Sequence, residues 1–189
     1  MAEENLWDAI PSIKEWNKLY DEHKSFVGFW SGNKDKTTSY MCNFYEAKHD
    51  AVFSERDFML GKAVFFDDAD SYEKILLAKT AKDVKSCGRE VKNFDKEKWD
   101  PACLKYMYRA CMNKFTDPKN SDILRKLWST YPYPLAETSP FDDIWGIKMS
   151  IDDTSSCHPS KYGKIWKGDN LLGRVLMVVR HRTWNDRFK

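Results

Sequence analysis

A carboxylate and an amine share one face of a helix that the sequence predicts at residues 54–66. Ser54 can cap this helix, and acidic residues suit its positive N-terminal end. Nearly two turns separate Glu55 from Lys62, so the two side chains lie on one face, about 10 Å apart along the axis. A carboxylate and an amine at this spacing can flank one sugar-sized ligand. The alternative interpretation is an exposed helix face with ordinary charges.

The second candidate site is the segment at residues 135–146, which is too short and too interrupted by proline for a helix. It carries Glu137, Asp142 and Trp145 in an irregular stretch. Functional groups concentrate in loops that a rigid scaffold positions. A surface loop in which Trp145 fills the core is the alternative.

The third candidate site is basic. Gly88 is predicted to end a short helix at residues 80–87, and Arg89 follows it directly. A guanidinium matches phosphate oxygens in a bidentate way, and Lys82 or Lys85 would add charge. Solvated basic residues are the alternative.

The fourth candidate lies just before the last predicted helix. Gly168 and Asn170 would present backbone N–H groups to an anion at the helix N-terminus, with Asn170 as the cap. Gly173 costs that helix about 1 kcal/mol relative to alanine. This cost favours close packing or ligand approach at Gly173.

Composition narrows the class of protein. A length of 189 residues is near that of one domain, and 42% hydrophobic content supplies a core. The net charge of +2 gives no argument for nucleic acid or membrane binding. Five cysteines without a CxxC pair, no leader-like N-terminus and no long apolar run predict an intracellular protein, cytoplasmic or nuclear. Glycine-rich phosphate loops and zinc-ligand spacings do not occur, so we expect no metal and no cofactor.

Helices dominate the predicted fold. Apolar residues at helical spacing predict helices at residues 12–22, 71–78, 100–115 and 121–130, and a buried helix after Asn170. Asp100 and Pro101 are expected to open the third of these. Residues 27–46 read as short strands and loops. The predicted fold class is therefore mainly α with a small β component.

Taken together, these segments resemble the NADAR superfamily, whose bacterial members include the YbiA-type N-glycosidases. The resemblance runs from about Phe29 to Arg180, with the motifs in order and at compatible spacing. The matching residues are Phe29-Trp30; Asn43-Phe44; Ser54, Glu55, Phe58 and Lys62; Gly88-Arg89; Trp99-Asp100; Lys114-Phe115; Glu137, Asp142, Trp145 and Gly146; and Gly168, Asn170, Leu172, Gly173, Leu176, Met177 and Arg180. One departure is Cys42, where family members often have serine.

The resemblance implies a single compact YbiA-like α+β domain at residues 27–182. A helical extension at 1–26 precedes it, and a tail at 183–189 follows it. The second departure from the family is a long segment at 147–167, in place of a short glycine-rich link. This segment is either a lid that selects substrate or a tolerated surface insertion.

The resemblance also implies cleavage of an N-glycosidic bond at the anomeric carbon of a phosphorylated ribose. The implied substrates are ADP-ribose attached to guanine in DNA or RNA, and the ribosylamino-pyrimidine phosphates of riboflavin synthesis. By analogy with glycosidases, Glu55 would stabilise an oxocarbenium-like state or activate water. Asp142 would orient the ribose hydroxyls or assist proton transfer. Lys62 would either bind a phosphate or hydroxyl, or attack the opened sugar and form a Schiff base.

The other residues that the resemblance places at the site would bind substrate. Arg89 and Lys85 would anchor phosphate. Trp30, Phe44 and Trp145 would stack on the base or shape the ribose pocket. The predicted site is completed by Phe29, Asn43, Phe58, Gly88, Glu137, Gly146, Asn170 and Gly173.

Three other functions compete with this interpretation. A non-catalytic module that reads ADP-ribose or NAD would keep the aromatics and Arg89 without needing Glu55. An NAD glycohydrolase would differ in its leaving group alone. A plain nucleic-acid-binding module would need a concentrated basic stripe, and the near-neutral charge counts against it. Glu55 together with Asp142 favours the enzyme.

Overall fold

The computed structural model describes residues 6–23, 25–46, 53–153 and 166–187. They form two compact units: one combines the described residues up to Cys42 with those from Asp122 onward, and the other is Asn43–Ser121. The elements in chain order are α1 (Leu6–Ala9), α2 (Ile13–His23), β1 (Val27–Phe29), α3 (Ser54–Phe65), α4 (Ala69–Leu77), α5 (Ala81–Arg89), α6 (Lys96–Thr116), α7 (Ser121–Ser129), β2 (Leu135–Glu137) and α8 (Leu171–Asp186), with short 3-10 turns at Ser39–Met41 and Pro118–Asn120. The prediction of a mainly helical fold with a small β component is confirmed.

The first unit contains a two-stranded parallel sheet. Its register runs from Val27 opposite Leu135 to Phe29 opposite Glu137. The sequence predicted an irregular segment at 135–137, and this is wrong. Three residues are too few to show the alternation of a strand, and their partner strand lies about a hundred positions away in the chain.

The helix α2 contributes to the core of this first unit. Trp16 is fully buried, and its indole Nε1 donates a hydrogen bond to the carbonyl oxygen of Leu135 at 2.8 Å. Its ring packs against that of Trp166, with the centroids 4.4 Å apart. As predicted, Ser12 caps the helix, since its Oγ accepts from the amide of Glu15 at 3.2 Å. The helical extension therefore holds β2 in place.

In the second unit, α3 packs against α4, α5 and α6. Asn113 on α6 donates from Nδ2 to Oδ2 of Asp57 on α3 at 3.0 Å. Further along, a Cβ on Gly61 would lie 2.3 Å from the ring of Tyr106. Asp57 contacts Asn113, and Gly61, further along α3, contacts the earlier residue Tyr106 of α6. The two helices therefore run in opposite directions.

One predicted helix cap and one predicted helix start are wrong. Phe53, not Ser54, occupies the cap of α3, because the Ser54 hydroxyl is used elsewhere. Helix α6 begins at Lys96 instead of Asp100, because the carboxylate of Asp95 accepts from two amides of the first turn. Pro101 consequently lies inside the helix rather than at its first position.

The predicted end of α5 is also wrong, since Gly88 lies within that helix. A Cβ at Gly88 would come within 2.2 Å of the sulfur of Met59 on α3. The glycine is therefore explained by close helix packing instead of helix termination.

Among the described residues, no helix combines the length and the apolar character needed to cross a bilayer.

Candidate functional site

Glu55 is a buried carboxylate at the second position of α3, with only 4% of its surface exposed. Its amide donates to the carbonyl oxygen of Asn43 at 3.2 Å. The positive end of the helix dipole favours an ionised carboxylate at this position. Burial excludes the alternative of an ordinary exposed charge for Glu55.

Asn43 fixes the start of α3. Its Oδ1 accepts a hydrogen bond from the Ser54 hydroxyl at 2.9 Å, and its Nδ2 points to the sulfur of Met107 at 3.4 Å. Both Asn43 and Ser54 are buried. Within the Asn-Phe motif, Asn43 is therefore the residue that positions the turn that carries Glu55. Phe44 itself is partly exposed.

Lys62 connects α3 to α5. Its Nζ donates to the carbonyl oxygen of Gly88 at 2.8 Å and lies 4.1 Å from the centroid of the Phe94 ring. The side chain is half-buried, and desolvation lowers the pKa of the amine. A lowered pKa raises the fraction of neutral, nucleophilic amine, whereas the aromatic ring favours the ammonium form.

One face of α5 is basic. Lys82, Lys85 and Arg89 are three, four and seven positions apart, which places them on the same side of the helix. Lys85 Nζ lies 5.5 Å from the centroid of the Phe44 ring, and Arg89 is exposed at the helix end. This face can receive an anion that reaches it from solvent.

Phe58 is a core residue of the second unit. It is 4% exposed, and its ring packs against Trp99 with the centroids 5.5 Å apart. The structure therefore gives Phe58 a packing role on α3, one turn from Glu55.

Lys114 on α6 was not among the predicted site residues, although it is 1% exposed. Its Nζ lies 5.4 Å from the ring centroids of Tyr45 and Phe115. A buried lysine is rare enough to mark a functional or structural special case. Two features of the sequence pointed to Lys114. It belongs to the Lys114-Phe115 match to the family, and it lies two turns after the buried Met107 on the same helical face.

In the first unit, Asp142 holds the loop that follows β2. Its Oδ1 accepts from the amides of Ile144 at 3.1 Å and Trp145 at 2.8 Å. Its own carbonyl oxygen accepts from the Lys148 amide at 3.0 Å. Gly146 packs closely here, since a Cβ would lie 3.0 Å from the carbonyl oxygen of Glu137. One carboxylate oxygen of Asp142 is therefore engaged in loop structure.

Asn170 ties α8 to β2. Its Oδ1 accepts from the Glu137 amide at 3.0 Å, and its Nδ2 donates to the Leu135 carbonyl oxygen at 3.0 Å. It occupies the predicted cap position of α8, with a positive φ of 52° and no capping hydrogen bond from its side chain. Asn170 is fully buried. Its side chain fixes the backbone that carries the half-buried Glu137 rather than the end of the helix.

Phe29 and Trp30 follow one another but differ in environment. Phe29 is fully buried in β1, and its carbonyl oxygen accepts from the Thr138 amide at 3.0 Å. Trp30 is partly exposed. Of this aromatic pair, Trp30 is therefore the residue whose ring is open to a ligand.

Across the described ranges, no group of three or more His, Cys, Asp and Glu side chains could hold a metal ion. Cys157 and His158 of the predicted lid lie outside the described residues, as does most of that segment.

Comparison with known proteins identifies the family. The NADAR domain family matches residues 22–184, so the chain belongs to the NADAR family. The protein irg-1 of Caenorhabditis elegans is 37% identical over 134 residues, which cover 69% of this chain and 60% of that protein. The N-glycosidase R617 of Acanthamoeba polyphaga mimivirus is 33% identical over 129 residues, which cover 68% of this chain and 72% of that protein.

A solved structure shows the same fold. The NMR structure of the Escherichia coli protein YbiA superposes with a TM-score of 0.64, at 23% identity, over 87% of this chain and 88% of that one. The predicted YbiA-like fold is confirmed. Family membership and the relative named as an N-glycosidase support a glycosidase-type function.

Proposed function

We propose that this protein is a hydrolase of N-glycosidic bonds, acting at the anomeric carbon of a phosphorylated ribose. The proposed substrate is ADP-ribose attached to guanine in DNA or RNA, with ribosylamino-pyrimidine phosphates as the second substrate class. The observation that carries the proposal is Glu55, a buried carboxylate at a helix N-terminus and two turns from an amine with a lowered pKa. A protein that only reads ADP-ribose has no need of such a carboxylate.

Glu55 is the proposed catalytic carboxylate. As the bond from the anomeric carbon to the base nitrogen breaks, positive charge develops on the ribose, and an adjacent carboxylate stabilises it. Water then adds to the anomeric carbon and loses a proton, while the base leaves and gains one. The burial of Glu55 strengthens this interaction, because few water molecules screen it.

Lys62 has two proposed roles, which a chemical test separates. It binds a phosphate or hydroxyl as an ammonium ion, or its neutral amine adds to the anomeric carbon as the base leaves. In the second case the sugar ring opens to an imine, which water hydrolyses to release the lysine. Borohydride added during turnover would reduce that imine and leave a stable adduct on Lys62. Unmodified Lys62 after such treatment would favour the binding role.

The basic face of α5 is the proposed phosphate-binding surface. Arg89 can form a bidentate contact with phosphate oxygens, and Lys85 adds charge one turn away. We expect Arg89→Gln to raise the KM for a phosphorylated substrate more than it lowers kcat. For Asp142, we propose that Oδ2 is the oxygen that can contact a ligand, since Oδ1 is engaged with the loop.

The test begins with the wild-type protein and two substrates. An oligonucleotide that carries ADP-ribosyl-guanine and a ribosylamino-pyrimidine phosphate are incubated separately and followed by mass spectrometry. Release of ADP-ribose from the first supports the proposed substrate, and release of ribose phosphate from the second supports the other class. NAD serves as a third substrate, and cleavage of NAD alone would favour a glycohydrolase. Binding of ADP-ribose without any turnover would favour the non-catalytic reader.

Glu55→Gln tests the mechanism. The amide keeps the shape of the carboxylate and removes its charge, so we expect turnover to fall by a factor of about 100 or more while ligand binding persists. The matched control is Glu97→Gln, which changes an exposed glutamate in the first turn of α6. Equal turnover in Glu55→Gln and wild type would overturn the role of Glu55. A loss of activity in Glu97→Gln of the same size would show that the effect is not local.

A further inference from the structure

Phe141 is the most exposed large apolar side chain in the described part of the chain, at 82%. Its ring packs edge-on against Trp30, with centroids 5.9 Å apart and ring planes at 62°. It adds little to the core, because a ring this exposed buries little apolar surface. A solvent-facing phenylalanine beside a tryptophan points to a function in recognition.

The two rings are held in place by the backbone that carries them. A Cβ on Gly32 would lie 2.3 Å from the Trp30 ring, so the indole rests directly on the glycine backbone. The turn is closed by the Asn33 amide, which donates to the Trp30 carbonyl oxygen at 3.1 Å. The Asn33 side chain is buried and donates to Thr138 Oγ1 at 3.1 Å, which fastens the turn to the residue after β2. A surface fixed in this way loses little entropy when a planar ligand stacks on it.

Cations flank the aromatic pair. Lys34 and Lys36 lie on the turn that follows Trp30, and both are exposed. Lys34 meets Asp152 only at 4.0 Å, and both side chains are more than two-thirds exposed, so this contact is weak. Lys36 Nζ donates to the carbonyl oxygen of Ser31, which uses one of its three N–H donors. The intervening Asp35 keeps its negative charge, and its carboxylate accepts from the amide and the hydroxyl of Thr37. Aromatic rings next to lysines are the combination that binds single-stranded nucleic acid.

We propose that Trp30 and Phe141 form a stacking platform for an unpaired nucleobase of a nucleic-acid strand, with Lys34 and Lys36 contacting its phosphates. The inference rests on the proposed function and narrows its substrate class to a strand rather than a free nucleotide. Phe141 directly precedes Asp142, so the platform and the loop that Asp142 organises belong to one continuous segment. The platform binds the base through its π-face and is therefore tolerant of sequence.

A binding measurement tests the platform independently of turnover. Fluorescence anisotropy with a labelled, unmodified single-stranded oligonucleotide of about ten nucleotides reports affinity without any chemistry. We expect Phe141→Ala to weaken binding about tenfold at low salt, since stacking on one aromatic residue contributes on the order of that factor. The matched control is Leu77→Ala, which removes an apolar side chain of similar exposure, 79%, at the end of α4. Equal affinity of Phe141→Ala and wild type would overturn the platform.

A second measurement, of turnover, tests whether the platform binds the strand of the substrate. The catalytic efficiency is compared for ADP-ribosyl-guanine within an oligonucleotide and as a single nucleoside. Phe141→Ala should lower kcat/KM about tenfold for the oligonucleotide and leave the nucleoside unchanged. An equal loss on both would contradict the inference and place Phe141 at the modified base itself. If the wild type cleaves neither substrate, the proposed function fails, whereas the binding measurement still decides whether the platform exists.

Discussion

Replacement of Gly173 by alanine should separate close packing from helix propensity. On propensity alone, alanine would stabilise α8 by about 1 kcal/mol. In the structure, however, the new Cβ would lie 2.4 Å from the carbonyl oxygen of Leu135 and 2.5 Å from Oδ1 of Asn170. Real carbon–oxygen contacts are not this short, so α8 must move away from β2.

The cost follows from what the movement disrupts. Overpacking of a core costs about 1–3 kcal/mol. Displacement of the Asn170 side chain also weakens its two hydrogen bonds to Leu135 and Glu137, at about 1 kcal/mol each. After the gain in helix propensity is subtracted, we expect Gly173→Ala to lower the free energy of unfolding by about 2–4 kcal/mol. For a chain of this length, that loss corresponds to a decrease in Tm of roughly 5–15 °C.

Equilibrium urea unfolding, followed by circular dichroism, measures this difference, and Gly61→Ala is the matched control. Gly61 is also helical, but its new Cβ would meet the ring of the half-buried Tyr106, which packs against Trp99 and Phe65, instead of a backbone atom. Because a side chain gives way more easily than a backbone carbonyl, we expect this control to lose less stability than Gly173→Ala, by about 1 kcal/mol. Wild-type stability in Gly173→Ala would refute the reasoning, as would an equal loss in both variants.

Two further predictions concern buried polar groups. Asn170→Ala should destabilise the protein by about 3 kcal/mol, because two buried backbone groups lose their partner and alanine resists the positive φ. Asn170→Gly should recover about 1 kcal/mol of this loss in urea unfolding, because glycine adopts a positive φ without strain. Equal stability of the two variants would show that the φ of residue 170 does not contribute. Hydrogen bonds from Ser71 and from the Lys92 amide lower the pKa of Asp68 from 3.8 to about 2, so the stability that its carboxylate adds is present above pH 4 and is lost as the pH falls toward 2. Thermal melts of Asp68→Asn should therefore show lower stability at pH 7 and a weaker loss between pH 4 and pH 2, and an unchanged acid dependence would contradict this.

Helix positions were predictable where local signals were strong. The spacing of apolar residues identified α2, α7 and α8, and Ser12 was correctly predicted to cap α2. The start of α3 at Ser54 was predicted, but its cap was not, because the Ser54 hydroxyl makes a tertiary contact with Asn43. The predicted start of α6 was wrong although its cap is local, because the carboxylate of Asp95 accepts from the amides of Glu97 and Lys98 ahead of Asp100.

The candidate site was predictable as a list of residue types but not as an arrangement. Glu55 and Lys62 were assigned to one helix from their spacing alone, and this is confirmed. Their environments were not predictable, since burial of Glu55 and the bond from Lys62 to Gly88 depend on how other helices pack. Lys114 was missed as a site candidate, because a lysine in a sequence is expected to be exposed.

The sequence by itself determined the helical character of this protein, its membership of the NADAR family and the identity of its candidate catalytic residues. These properties depend on residue type and on spacing along the chain, which local physics translates directly into helices and faces. Tertiary structure alone decided that Leu135–Glu137 is a strand, that Gly88 and Gly173 serve helix packing, and that Asn170 braces β2. Each of these outcomes depends on contact with a residue far away in the sequence. No local sequence pattern shows which distant residue will be that partner.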